Sequence, residues 1–278
     1  MEAAQRGPAG SSAAANPGEA QALLGRLEGE QASRRLESGL AEFDRVLGSG
    51  IVPGSVILLG GDPGIGKSTL LLQVAASVAG SAPVLYATGE ESTQQVRARA
   101  RRLGLEAPAL QIVPESDLTR ILATAEQQRV AMLVIDSIQT VFSPEVPSSA
   151  GGVAQLRECA AALVRYAKRT GTAVCIIGHV TREGSIAGPK VLEHLVDTVL
   201  YFESDAGSRF RIVRATKNRF GAVNELAFFA MTEGGLREVA NPSAIFLARP
   251  AEVAPGSVVT VMREGGRPLL VEIQGLVD

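Results

Sequence analysis

Tryptophan is absent from this sequence, tyrosine occurs three times, and cysteine and histidine twice each. The two cysteines, Cys159 and Cys175, stand alone, with no CxxC pair. A cysteine-built zinc site is thereby excluded and a disulfide framework made implausible; both thiols read as small core or helix residues in a reducing compartment. No apolar run approaches the roughly 18 residues that span a bilayer. The start of the chain also lacks the basic and then apolar regions of a secretory leader. No membrane contact and no zinc are expected, and a soluble cytoplasmic protein is. Charge of either sign is not in excess: 27 basic against 29 acidic residues leave a net charge of −2. No global basic field therefore advertises a nucleic-acid partner, although basic residues confined to one face could still serve one.

What is present suits an ordinary globular core. The 278 residues, 46% of them apolar, allow one large α/β domain and a smaller appendage. Residues 1–32 are small and rich in proline and glycine, too poor in large apolar groups to order themselves, so a flexible tail is expected. From Arg35 the pattern changes: Leu36, Leu40, Phe43, Val46 and Leu47 have helical spacing that ends in Gly48 and Gly50. Short apolar runs then alternate with helical patterns. The runs are 56–59, 84–87, 132–135, 174–177 and 199–202; the helical patterns are 67–79, 93–103, 118–128 and 153–168. That alternation predicts crossover units on a largely parallel, twisted sheet covered on both faces. The segments FRIVRATK and NELAFFAM predict an antiparallel extension of it, and two β-like runs flank a Gly-Gly turn near the end of the chain. An expected division follows: tail (1–32), main α/β domain (33–240), linker and opening strands of a further domain (241–278).

The most informative segment is Gly61-Asp62-Pro63-Gly64-Ile65-Gly66-Lys67-Ser68, which fits G-x-x-x-x-G-K-[ST] between an apolar run and a helical one. Its glycines let successive backbone N–H groups face phosphates. Lys67 reaches the β and γ oxygens, the helix start adds its positive end, and the Ser68 hydroxyl can ligate Mg²⁺. Thr69 completes the phosphate-binding stretch. ATP with Mg²⁺ is the expected ligand pair. A second magnesium carboxylate is needed, and Asp136 closes the apolar run 132–135. Hydrolysis also needs an acid to orient water, and Glu90 and Glu91 follow the run 84–87 at the same sheet edge. Glu90 is the first candidate and Glu91 the second; one of the two is expected to serve the helix that begins near Thr93 instead.

The order GDPGIGKST, GEES, VIDSIQT, GHVTREG, AGPKVLEHLVDTV, KNRFG resembles the bacterial RadA (Sms) family from about Arg35 onward. The P-loop alone marks a huge superfamily; KNRFG with GHVTREGSIAGP and LEHLVD is far more particular. The resemblance implies a RecA-like P-loop ATPase of DNA repair and recombination that forms a hexameric ring on single-stranded and branched DNA. There it drives branch migration, with a RecA-type recombinase as a partner. Carried over by position, Lys67, Ser68, Asp136 and one of Glu90 and Glu91 match the nucleotide machinery, and Lys217 to Gly221 match the signature segment. Family members usually begin with a four-cysteine zinc finger, whereas no cysteine precedes Cys159 here. They usually end in a Lon-protease-like domain, of which only the opening strands are present. Arg182 stands where the family usually has lysine. The alternative of another class is a RecA-like ring acting on proteins, compatible with the near-neutral charge.

Three further readings concern single residues. His179 ends an apolar run at the ATP-side edge and suits a γ-phosphate sensor, whereas a bond to a neighbouring carbonyl is the plainer role; His194 reads as structural. The Gly-rich segments that contain Arg182 and Lys190 suit a single-stranded backbone bound electrostatically, since they carry no tryptophan or tyrosine. Lys217 and Arg219 are expected to project from a tight connection, with Gly221 at positive φ, toward a neighbouring subunit's γ-phosphate.

Overall fold

Strand β1 (Val56–Gly61) sends Val56 and Leu58 into one apolar cluster and Ile57 and Leu59 into another, the period of two that a doubly covered sheet requires. The computed structural model describes residues 34–180, 189–204, 208–247 and 257–275. The expected tail and Arg182 lie outside the described residues. Five further strands join β1 in one parallel array: β2 (Val84–Thr88), β3 (Leu110–Pro114), β4 (Met132–Asp136), β5 (Ala173–His179) and β6 (Thr198–Glu203). Antiparallel β7 (Phe210–Asn218), β8 (Leu226–Thr232) and β9 (Gly235–Glu238) extend the sheet, whose order is β3-β2-β4-β5-β1-β6-β7-β8-β9. The fold is the expected one, mostly parallel with an antiparallel extension.

On one face lie α1 (Ala41–Val46), α2 (Lys67–Val78) and α3 (Thr93–Arg102); on the other lie α4 (Leu118–Gln127) and α5 (Val153–Thr170). Helix α2 is apolar nearly all round because it sits between the sheet, α3 and β9, so Leu70, Leu71 and Leu72 are all fully buried. Each such leucine contributes about 1.5–3 kcal/mol relative to exposure. Helix starts are satisfied locally. Ser92 and Gln95 form a reciprocal capping box for α3, and the Asp117 carboxylate accepts the Thr119 amide for α4.

One local expectation needs correction, two strands are additions, and the hairpin near the end of the chain is the expected one. Leu36 is not helical: it pairs with Ile51 in an isolated bridge, and Gly39, at φ 76°, turns the chain before α1 begins. Strands β3 and β9 were not foreseen, being edge segments of five and four residues, too short for a period to show. Finally, the hairpin β10 (Ser257–Glu264) and β11 (Arg267–Gln274) forms its own two-stranded sheet, yet rests on the main sheet. Leu269 packs with Leu226 and Phe228, and ion pairs Arg267–Glu42 (2.8 Å) and Arg214–Glu264 (2.6 Å) flank that contact.

Candidate nucleotide site

The middle of the sheet positions the site. Gly61, at the carboxyl end of β1, lies level with His179 of β5 and Phe202 of β6, and α2 starts six residues later at Lys67. Gly66 has φ 117°, a backbone conformation that demands glycine, whereas the Met231 Cε that a Cβ would meet at 2.6 Å is the movable end of a side chain. Asp62, Pro63 and Gly64 form the exposed crown of the loop, whereas Ile65 is anchored in the core. Lys67 is buried, and its ammonium donates to the Gly61 and Asp62 carbonyls, both at 2.7 Å. Burial lowers it to about 8, against the opposing pull of the Asp136, Glu90 and Asp62 charges.

Asp136 is buried at the end of β4, one strand away from β5. The Tyr86 hydroxyl donates to its Oδ2, while Oδ1 is buried without a hydrogen-bond partner among the described residues. Burial raises this carboxyl, and the Tyr86 and Ser68 hydroxyls pull it back. A buried carboxylate oxygen left unpaired beside a P-loop serine is a hard oxygen donor set, which fits Mg²⁺.

The two adjacent acids part company. Glu90 Oε1 accepts from Ser137 Oγ at 2.5 Å and lies 3.1 Å from His179 Nε2. The His179 bond is the largest cause of a carboxyl held down to about 2, with Ser137 and the Lys67 charge adding to it against burial. Glu91 turns the other way, pairing with Arg99 of α3 while its amide donates to Thr88 Oγ1 at 3.1 Å. Ser92, not either acid, caps α3. His179 is tied on a second side, since Gln139 Nε2 donates to its carbonyl at 3.1 Å. Lys67, Ser68, Asp136, Glu90 and His179 thus meet at one sheet edge, and Glu91 faces away from it.

Lys217 and Arg219 lie elsewhere. Asn218 pairs with Thr198, the first residue of β6, so the signature segment sits at the amino edge of the parallel strands, opposite the P-loop. Lys217 does not project: its Nζ donates to the Glu193 and Val196 carbonyls at 2.7 and 2.8 Å. Arg219 is more exposed and pairs at 3.0 Å with buried Asp197, which also binds Lys168 at 2.8 Å and the Val56 amide at 3.0 Å. Gly221 is not at positive φ; its need is space, because a Cβ would approach Gly48 Cα to 2.9 Å. Lys190 is exposed on the short turn Pro189–Val191.

Two features escaped the motif reading. A cavity of about 530 Å³ opens beside Thr69, lined by Arg102, Leu103 and the turn from Met231 to Gly235. Arg211 of β7 donates Nε to the Ile65 carbonyl of the P-loop at 3.1 Å. Neither belongs to a local sequence pattern, because β7 to β9 reach α2 only through the sheet order. Among the described residues no helix is long and apolar enough to cross a membrane, and both cysteines are buried, with thiols pushed up to about 11 and 12.

Comparison with known proteins agrees with this geometry. An AAA domain family model matches residues 24–185, more than half of the chain. The DNA repair protein RadA of Pseudomonas aeruginosa is 60% identical over 244 residues, which is 88% of this chain and 54% of that protein. Those of Escherichia coli K12 and Bacillus subtilis 168 are 58% identical, over 88% of this chain and 53% of that protein, and 53% identical, over 88% and 54%. The chain spans about half the length of these curated relatives. The solved structure of the RadB recombinase, 22% identical, overlays with a TM-score of 0.56 over 73% of this chain and 99% of that one, which supports the fold. With its AAA domain, its RecA-like sheet and relatives of this identity, the chain belongs to the RadA family of DNA repair proteins.

Proposed function

We propose that this chain is an ATP-hydrolysing motor core that acts on single-stranded and branched DNA in recombinational repair. The observation that carries the reading is the convergence of a buried Lys67, an Asp136 with an unpaired buried oxygen, and a Glu90 held by Ser137 and His179 at one sheet edge. Lys67 and the loop from Gly61 to Thr69 would hold the phosphates, and Ser68 and Asp136 the Mg²⁺, which neutralises developing phosphate charge when bound. Glu90 would orient the attacking water, and His179, bonded to it, would sense the γ-phosphate. The cavity beside Thr69 would take the base and ribose, between Arg102 and the turn from Met231 to Gly235.

In this reading residues 33–240 form the ATPase domain, residues 241–278 begin a further one, and six copies close a ring. Lys217 and Arg219 would act across the boundary between copies: their place at the amino edge denies them their own P-loop, and each would have to leave its present partners, the Glu193 and Val196 carbonyls and Asp197, to meet a neighbour's. Branch migration, and a RecA-type recombinase as companion, belong to the same proposal and rest on the family relationship. The test is ATP turnover of the purified chain with and without single-stranded DNA. Stimulation by DNA of several fold, abolished by Lys67→Ala, is the expected result. Turnover indifferent to DNA would favour a ring acting on proteins, and no turnover at all would refute the motor.

A further inference from the structure

A glycine-rich phosphate loop faces a problem of its own making. The freedom that lets Gly64 and Gly66 adopt φ 77° and 117° also lets the loop wander, and something outside it must fix which way each amide points. Inside the loop Lys67 reaches only the Gly61 and Asp62 carbonyls, at its beginning. The later peptide, between Ile65 and Gly66, is held from β7. Arg211 Nε donates to the Ile65 carbonyl at 3.1 Å, and the same guanidinium is itself braced, Nη1 donating to the Phe210 carbonyl at 2.8 Å and to that of Ser208. The Ile65–Gly66 peptide is trans, and a trans unit points its C=O and N–H in opposite directions. A carbonyl pulled toward Arg211 therefore aims the Gly66 N–H away from β7, toward the concave side of the loop. Planarity supplies this coupling at no extra cost, and arginine suits it because its planar fork binds several carbonyls at once.

We infer that Arg211 is a positioning residue of the nucleotide site: by anchoring the Ile65 carbonyl it presets the Gly66 amide for a phosphate oxygen. The inference rests on reading this loop as the nucleotide site. The amide would contact substrate and product alike, so its effect belongs to binding and not to the chemical step.

The experiment measures the Kd for ADP and ATP, together with KM and kcat, in the wild-type chain, Arg211→Ala, Arg211→Lys and Lys67→Ala. Expected for Arg211→Ala is a roughly tenfold weaker Kd for both nucleotides, the scale of one hydrogen bond to a charged group, with KM raised in step and kcat within about twofold. Arg211→Lys keeps the charge and one donor and should recover most of the affinity. Unchanged affinity in a folded Arg211→Ala, or a fall in kcat at unchanged Kd, overturns the inference. Should Arg211→Ala not fold, Arg211→Lys decides alone: a Kd within about threefold of wild type at unchanged kcat supports the role, and a lowered kcat at wild-type Kd refutes it. Lys67→Ala separates the two layers. Wild-type affinity in that variant means the loop is not the nucleotide site, whereas lost affinity there with none lost in Arg211→Ala sinks the Arg211 role only.

Discussion

Burial lowers the Lys67 ammonium to about 8, well under its ordinary 10.5. Between those two values the folded chain binds fewer protons at this group than the unfolded one, so its contribution to stability improves as pH rises through that window. Phosphates beside Lys67 would favour the charged form again. ATP binding is therefore expected to take up protons near pH 8 and above, an uptake that Lys67→Met should abolish. Calorimetry in buffers of differing ionisation enthalpy measures it, and proton release instead of uptake would contradict the placement of the phosphates. Glu90 presents the opposite case. Held at about 2, it stays ionised at working pH; the stability it adds is fully present above its ordinary 4.5 and is lost as pH falls through about 2. So strongly held a carboxylate suits orienting water better than keeping its proton. Glu90→Gln should bind ATP and turn it over at least a hundredfold more slowly, whereas Glu91→Gln should stay within severalfold of wild type and loosen α3 through Arg99. Single-turnover assays rank them, and the reverse order would return the role to Glu91. The sequence shows two acids side by side but not which way each points. That choice is made by Ser137 and His179, far away in the chain, and by Arg99, two turns along the next helix.

At the scale of elements, the central strands and long helices were legible because their apolar periods are long and uninterrupted. Val84 to Thr88 and Met132 to Asp136 are buried at every position, as parallel strands between two helical layers must be. The β3 edge strand has only five residues, none fully buried, so no period could distinguish it from a connection. The amino-edge cluster was illegible for another reason: Asp197 joins the start of β1, the last turn of α5 and the turn after β7, three segments that only tertiary structure assembles. Its carboxylate is buried, which raises it, but the Lys168 bond, the Val56 amide and the two cations win. Replacement by asparagine should cost about 1–3 kcal/mol of unfolding free energy, since an amide cannot answer both cations, each of which keeps some solvent. Urea denaturation reads this out, and a neutral change would show the cluster to be a surface ornament.

For the whole molecule the signature segment poses the sharpest question, since its cations stand at the far edge of the sheet from the P-loop of the same chain. Arg219→Ala should cost little stability, about 1 kcal/mol or less, because the pair it leaves is half exposed on the arginine side. If it works in trans its turnover should nonetheless collapse, as should that of Lys67→Ala. Mixing the two inactive chains is expected to restore part of the activity, because some boundaries then join an intact P-loop to an intact arginine. No recovery among rings that demonstrably exchange subunits would confine Arg219 to its own subunit.

The Asp197 cluster carries one consequence for time. Val56, the first residue of β1, gives its amide to the Asp197 side chain and its carbonyl to the Asp197 amide, so a single residue guards both ends of that peptide position. Its hydrogen exchanges with solvent only when this clasp opens. Arg219 cannot rest on Asp197 and on a neighbour's phosphate at the same moment. If Arg219 works in trans, the exchange rate of the Val56 amide would be a clock, set at one end of the sheet, for what happens to the nucleotide of the next subunit.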